Sequence, residues 1–136
     1  MTARLRAVDR ANAFKFYYSF LTSGTLSGHM TVIGFLSVAP VIEGSMSGEV
    51  AKAVAALEKF DVGYETTPMG TIIEADDSAE LFAAARAAHE AVDADRVSTF
   101  LKVDDKRTID QSADEKVKAV ERHLGREARG DRAGDG

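Results

Sequence analysis

The residues through which this 136-residue chain could do chemistry are carboxylates, hydroxyls and a few histidines, because it contains no cysteine. Disulfides and thiolate metal sites are thereby excluded. Asp76-Asp77 and Asp104-Asp105 are the first candidates for a hard cation. Adjacent carboxylates in an extended chain point to opposite sides, and no spaced set of oxygen donors accompanies either pair, so they read as a helix start and a strand end. His29, His89 and His123 show neither ligand spacing nor a Glu-x-x-His pairing. No serine occupies a Gly-x-Ser-x-Gly elbow, so no nucleophile and base can be named. Gly44-Ser-Met-Ser-Gly48, ahead of a predicted helix, could offer backbone N–H groups to an anion, but it lacks the Lys-Ser/Thr ending of a phosphate loop and reads as a capping loop. Binding, not catalysis, is the chemistry left.

Charge narrows the partners. The net charge is −5 and the pI about 5.2, and several of the basic residues, Arg4, Arg6, Arg10 and Lys15, fall within residues 1–29, so the remainder is more acidic still. Such a domain repels phosphate backbones, and no nucleic-acid partner is expected. A cationic small ligand would be favoured. The apolar run Phe14–Leu21 is too short and interrupted to span a bilayer and lacks the pattern of a signal peptide, so no membrane partner is expected either. Residues 1–29 read as a disordered or artefactual leader with Met30 as the working start, and residues 125–136, rich in Gly, Arg and Asp, as a solvated tail.

The elements between these ends are organised around Tyr64–Ala75, two short strands folded back at Pro68-Met69-Gly70. Pro68 cannot donate to a ladder, and Gly70 can take a positive φ. Thr31–Pro40 is continuously apolar, as a central strand is. Ser47 reads as the cap of a helix over about Gly48–Phe60 with Val50, Ala53, Val54, Leu57 and Phe60 on its inner stripe, and Gly63 as the turn that follows. Asp77 and Glu80 have capping-box spacing before a helix reaching about Asp93, with Leu81, Ala85, Ala88 and Val92 inward. In the strand Arg96–Asp104, Val97, Thr99, Leu101 and Val103 alternate with Ser98, Phe100 and Lys102. Ser112-Ala-Asp-Glu115 opens a last helix with Val117, Val120 and Leu124 in line, and Gly125 stops it.

The order β-α-β-β-α-β-α predicts an α+β, ferredoxin-like sandwich over residues 30–124: a four-stranded antiparallel sheet, two helices on one face, and an extra C-terminal helix. The other face then carries Phe100 and one apolar row of the first strand, and an apolar face of that kind is expected to bury itself against a second copy. The third helix is a further possible contact. Glu74 and Lys102 share this face; they are open to three readings, as a structural ion pair, as rim charges or as ligand-recognition groups.

Several segments resemble the small thiamine-binding proteins, stand-alone relatives of the YkoF-type thiamine/hydroxymethylpyrimidine-binding proteins. They are Leu36–Pro40, Gly44–Ser47, Tyr64 with Pro68-Met-Gly-Thr71 and Ile73-Glu74, Ala88–Ala91, and Arg96–Thr99 running into Leu101–Arg107. The resemblance spans about Met30–Leu124, and Ala75 stands where relatives often carry glycine. It implies a cytoplasmic, non-enzymatic protein, assembled as a homodimer or homotetramer, that binds thiamine or its hydroxymethylpyrimidine portion at the oligomer interface, with no cofactor beyond the bound ligand and no metal. An aminopyrimidine needs hydroxyl or carboxylate partners in a partly apolar pocket, and Ser37, Thr71, Glu74 and Ser98 are the expected contacts, with Lys102 orienting a carboxylate. The alternative is a structural or regulatory homo-oligomer whose partner is a protein.

Overall fold

The computed structural model describes residues 31–133. The expected leader and its boundary at Met30 lie outside the described residues. The element order is β1 (Val32–Pro40), α1 (Ser47–Ala56), a single 3-10 turn (Leu57–Lys59), β2 (Val62–Thr67), β3 (Gly70–Ala75), α2 (Ser78–Ala91), β4 (Val97–Asp105) and α3 (Ala113–Leu124). The strands pair antiparallel in the order β2-β3-β1-β4, and α1 and α2 pack side by side over one face, the arrangement of a ferredoxin-like sandwich.

Strand alternation decides which side chains enter the core. Val32, Leu36 and Val38 of β1 and Ile73 and Ala75 of β3 are buried beneath the helices, while Leu57, Leu81, Ala84, Ala85 and Ala88 come down from above. Leu57, Ile73 and Leu81 are the largest fully buried side chains, each contributing about 1.5–3 kcal/mol by leaving water. The alanines of α2 allow that helix to approach the sheet closely. On the reverse face lie Ile33, Phe35 and Ser37 of β1, Ile72 and Glu74 of β3, and Ser98, Phe100 and Lys102 of β4. Phe100 is 58% exposed there and meets Phe35 edge-on, with ring centroids 6.2 Å apart.

Local signals act largely as expected. Asp77 caps α2 by accepting from the Glu80 N–H at 2.8 Å, and Ser112 caps α3 by accepting from the Glu115 N–H at 3.2 Å. Gly125, at φ 73°, ends α3 in the left-handed region. Four details differ. The cap of α1 is Met46 rather than Ser47, whose hydroxyl lies 3.0 Å from that of Ser45 instead of bonding into the helix. The Glu80 carboxylate accepts from the Asp61 N–H at 2.9 Å, so the reciprocal half of the capping box is diverted to the α1–β2 connection. Gly63 is not a turn residue: it sits inside β2 opposite Glu74, because the ladder with β3 continues down to Val62. Gly70 has no positive φ; glycine is needed because a Cβ there would lie 2.5 Å from Phe35 Cζ and 2.9 Å from the Leu36 carbonyl oxygen.

Helix α3 is joined to the sandwich at its beginning. Asp110 accepts from the Thr31 N–H at 2.9 Å, Glu74 accepts from the Ala113 N–H at 2.7 Å, and Lys116 pairs with Asp104. These links cover the Glu74 end of the reverse face with the chain's own residues, while Val117, Val120 and Leu124 remain exposed. Beyond Gly125 the described chain has no helix or strand; the Ala128 N–H donates back to Glu121 at 2.9 Å.

Candidate functional site

The β2–β3 turn is held by one side chain. Thr67 Oγ1 donates to the Gly70 carbonyl at 2.8 Å and accepts from the Met69 and Gly70 N–H groups, each at 3.3 Å. This bonding secures a two-residue connection, Pro68-Met69, whose φ values are not positive. The register that follows sets Thr66 opposite Thr71, with their hydroxyl oxygens 3.0 Å apart on the helix-covered face. Thr71 is 5% exposed.

Helix α1 forms the other wall. Its first turn is tied across the molecule by Glu49, whose carboxylate accepts from the Asp93 N–H at 2.7 Å and pairs with Lys52 at 2.7 Å. The Lys52 contact first, and then the Asp93 N–H, hold the Glu49 carboxyl below the usual carboxylate range. With this turn anchored, a pocket of about 140 Å³ lies between α1, the end of β1 and the hairpin. Leu36, Val38, Val50 and Leu57 supply apolar lining, and Thr66 and Thr71 bring the hydroxyl pair to it.

A hydroxyl donates once and accepts twice, so the paired threonines retain donor and acceptor capacity for a guest while satisfying each other. Apolar walls around a few polar groups are the usual lining of a small-molecule pocket. The volume of this pocket is close to that of the enclosed apolar cavity of about 150 Å³ that can hold benzene. Among the described residues no group of three acidic or histidine side chains gathers as a metal site, and no helix is long and apolar enough to cross a membrane.

The five residues singled out from sequence do not share one site. Thr71 lines the pocket; Ser37 is at its edge as well, but lies opposite Phe100 in the ladder, which sets its side chain on the reverse face. Ser98, opposite Ala39, and Lys102, opposite Phe35, stand exposed on the reverse face. Glu74 is on that face too, only 8% exposed, and receives the α3 N-terminus. Glu74 lies opposite Ile33 and Lys102 opposite Phe35, in different cross-strand rows with β1 between them, so they are not cross-strand neighbours. Thr66, Met46 and Met69 were not singled out. Thr66 could have been, since residues flanking a two-residue turn symmetrically face each other. His89 joins no site; its Nδ1 meets Thr99 Oγ1 at 2.5 Å and ties α2 to β4.

Residues 35–121 match the family model described as thiamine-binding protein. The chain belongs to the thiamine-binding protein family. The hairpin, the hydroxyl pair and the pocket all lie within the matched segment. A UPF0045 protein of Methanothermobacter thermautotrophicus is 48% identical over 83 residues, covering 59% of this chain and 84% of that protein. The crystal structure of a hypothetical protein from Methanocaldococcus jannaschii superposes with a TM-score of 0.62 at 35% identity, covering 66% of this chain and 95% of that one. A domain of unknown function from Bacillus cereus gives 0.54 at 26% identity, covering 68% and 92%.

Proposed function

We propose that the chain is a non-enzymatic binding protein for thiamine or its hydroxymethylpyrimidine portion, acting in the cytoplasm as a carrier, buffer or sensor. The observation that carries this reading is the Thr66–Thr71 hydroxyl pair at an apolar-walled pocket inside the family segment. The aminopyrimidine enters this pocket, with Thr71 and Thr66 serving its ring nitrogens and amino group. The acidic chain tolerates the attached thiazolium cation. Copies associate as dimers or tetramers through the reverse face, where Ser98 and Lys102 lie beside Phe100 and where Glu74 fixes α3 against the seam.

Calorimetric titration with thiamine, hydroxymethylpyrimidine and thiamine phosphates tests the reading. Heat and a raised melting temperature are expected with at least one of them. Thr71→Val keeps the shape and removes the hydroxyl, and should weaken binding by about 1–3 kcal/mol. No heat with any of these ligands would refute the proposal. The second reading, a structural or regulatory oligomer with a protein partner, is favoured by the exposed Phe100 and the exposed apolar stripe of α3. It predicts self-association without any ligand heat.

A further inference from the structure

Two of the pocket's lining residues are methionines that are themselves largely exposed: Met46 at 47% and Met69 at 79%. They come from different elements, Met46 from the cap of α1 and Met69 from the tip of the β2–β3 turn, and both line the pocket. We propose that Met46 and Met69 form a thioether clamp for the second, cationic ring of a two-ring ligand whose first ring occupies the pocket. The inference rests on the proposed thiamine binding and assigns the specificity between the whole ligand and its pyrimidine half to these two side chains.

Volume sets the argument. A pocket of about 140 Å³ holds one ring, whereas pockets for drug-sized ligands enclose about 300–1,000 Å³. The hydroxyl pair joins buried Thr71 to exposed Thr66, whereas both thioethers belong to exposed side chains. A ligand that satisfies the hydroxyls with its polar ring therefore leaves its other ring beside the methionine sulfurs. Thioethers are polarisable and make favourable contacts with aromatic rings, the more so with an electron-poor thiazolium. Thr67 fixes the backbone beneath Met69 through three hydrogen bonds, and the Met69 side chain itself is largely exposed.

The experiment compares thiamine with hydroxymethylpyrimidine by calorimetry on the full chain and on the M46S/M69S variant. Both methionines are exposed, so the variant should lose no melting temperature, and serine at the α1 cap position should if anything raise it. Thiamine affinity is expected to fall about tenfold while hydroxymethylpyrimidine affinity stays within about twofold. Unchanged thiamine affinity, or an equal fall for both ligands, overturns the clamp while leaving thiamine binding standing. Absence of thiamine binding by the unsubstituted chain overturns both readings.

Discussion

Replacing Gly70 with alanine tests whether the turn that shapes the pocket depends on close packing rather than on backbone freedom. The added Cβ would lie 2.5 Å and 3.0 Å from Phe35 Cζ and Cε2, and 2.9 Å from the Leu36 carbonyl oxygen. Comfortable carbon contacts begin near about 3.5 Å, so the Phe35 ring must retreat by about 1 Å. That ring packs edge-on against Phe100 and can move outward, but the Leu36 carbonyl is backbone of a central strand. Overpacking of this kind costs about 1–3 kcal/mol. Because φ is not positive, alanine also recovers roughly 0.4–1 kcal/mol by restricting the unfolded chain. The backbone contact places the steric cost toward its upper end, leaving a net loss of about 2 kcal/mol. For a domain of this size that lowers Tm by about 8–16 °C. Thermal and urea denaturation at one fixed protein concentration measure it, since self-association would otherwise shift the midpoint. In a Phe35→Leu background the ring atoms nearest the new methyl are gone while the carbonyl remains, so the penalty should fall by about half, a coupling of about 1 kcal/mol. A Gly70→Ala protein as stable as the parent, or one equally destabilised in both backgrounds, would refute the packing account.

Three further outcomes follow from the reverse face and its helix. Glu74→Ala removes the acceptor of the Ala113 N–H and should cost about 1–3 kcal/mol, seen first as loss of hydrogen-exchange protection around residues 110–116. The Asp104 carboxyl is held below its ordinary value by Lys116, first through their hydrogen bond and then through charge attraction. A depressed folded-state pKa means that the pairing stabilises above the unfolded value of 3.8 and is lost as pH falls below it through the folded value. Amide exchange in the first turn of α3 should therefore quicken below about pH 4, and Lys116→Met should abolish that acid dependence. Phe100→Ser should shift the light-scattering mass of the assembly toward the monomer while leaving the melting of isolated subunits within about 0.5 kcal/mol, because the ring is exposed in the single chain. A stable monomer for the parent chain at micromolar concentration would refute association through this face.

Much of the architecture is legible in local pattern. Period-two alternation in β4 assigned Val97, Thr99, Leu101 and Val103 to the helix side and Ser98, Phe100 and Lys102 to the other, and the register with β1 agrees. The stops and starts at Asp77, Ser112 and Gly125 were readable because each cap is a bond between near neighbours in sequence. The α1 cap and the role of Gly63 were not, since the Ser45–Ser47 contact and the long β2–β3 ladder compete with the local signals.

The site divides along the same line. Sequence by itself determined the order of elements, the two faces of the sheet and the family resemblance, and it singled out Thr71, which lines the pocket. Only the tertiary structure decided that Thr66 completes the hydroxyl pair, that Met46 and Met69 line the same pocket, and that Glu74 holds α3 and is not a cross-strand neighbour of Lys102. The physical reason is range: alternation and capping depend on residues a few places apart. A pocket or an anchor depends on how far α1 and α3 sit from strands many residues away, and that distance is set by packing alone.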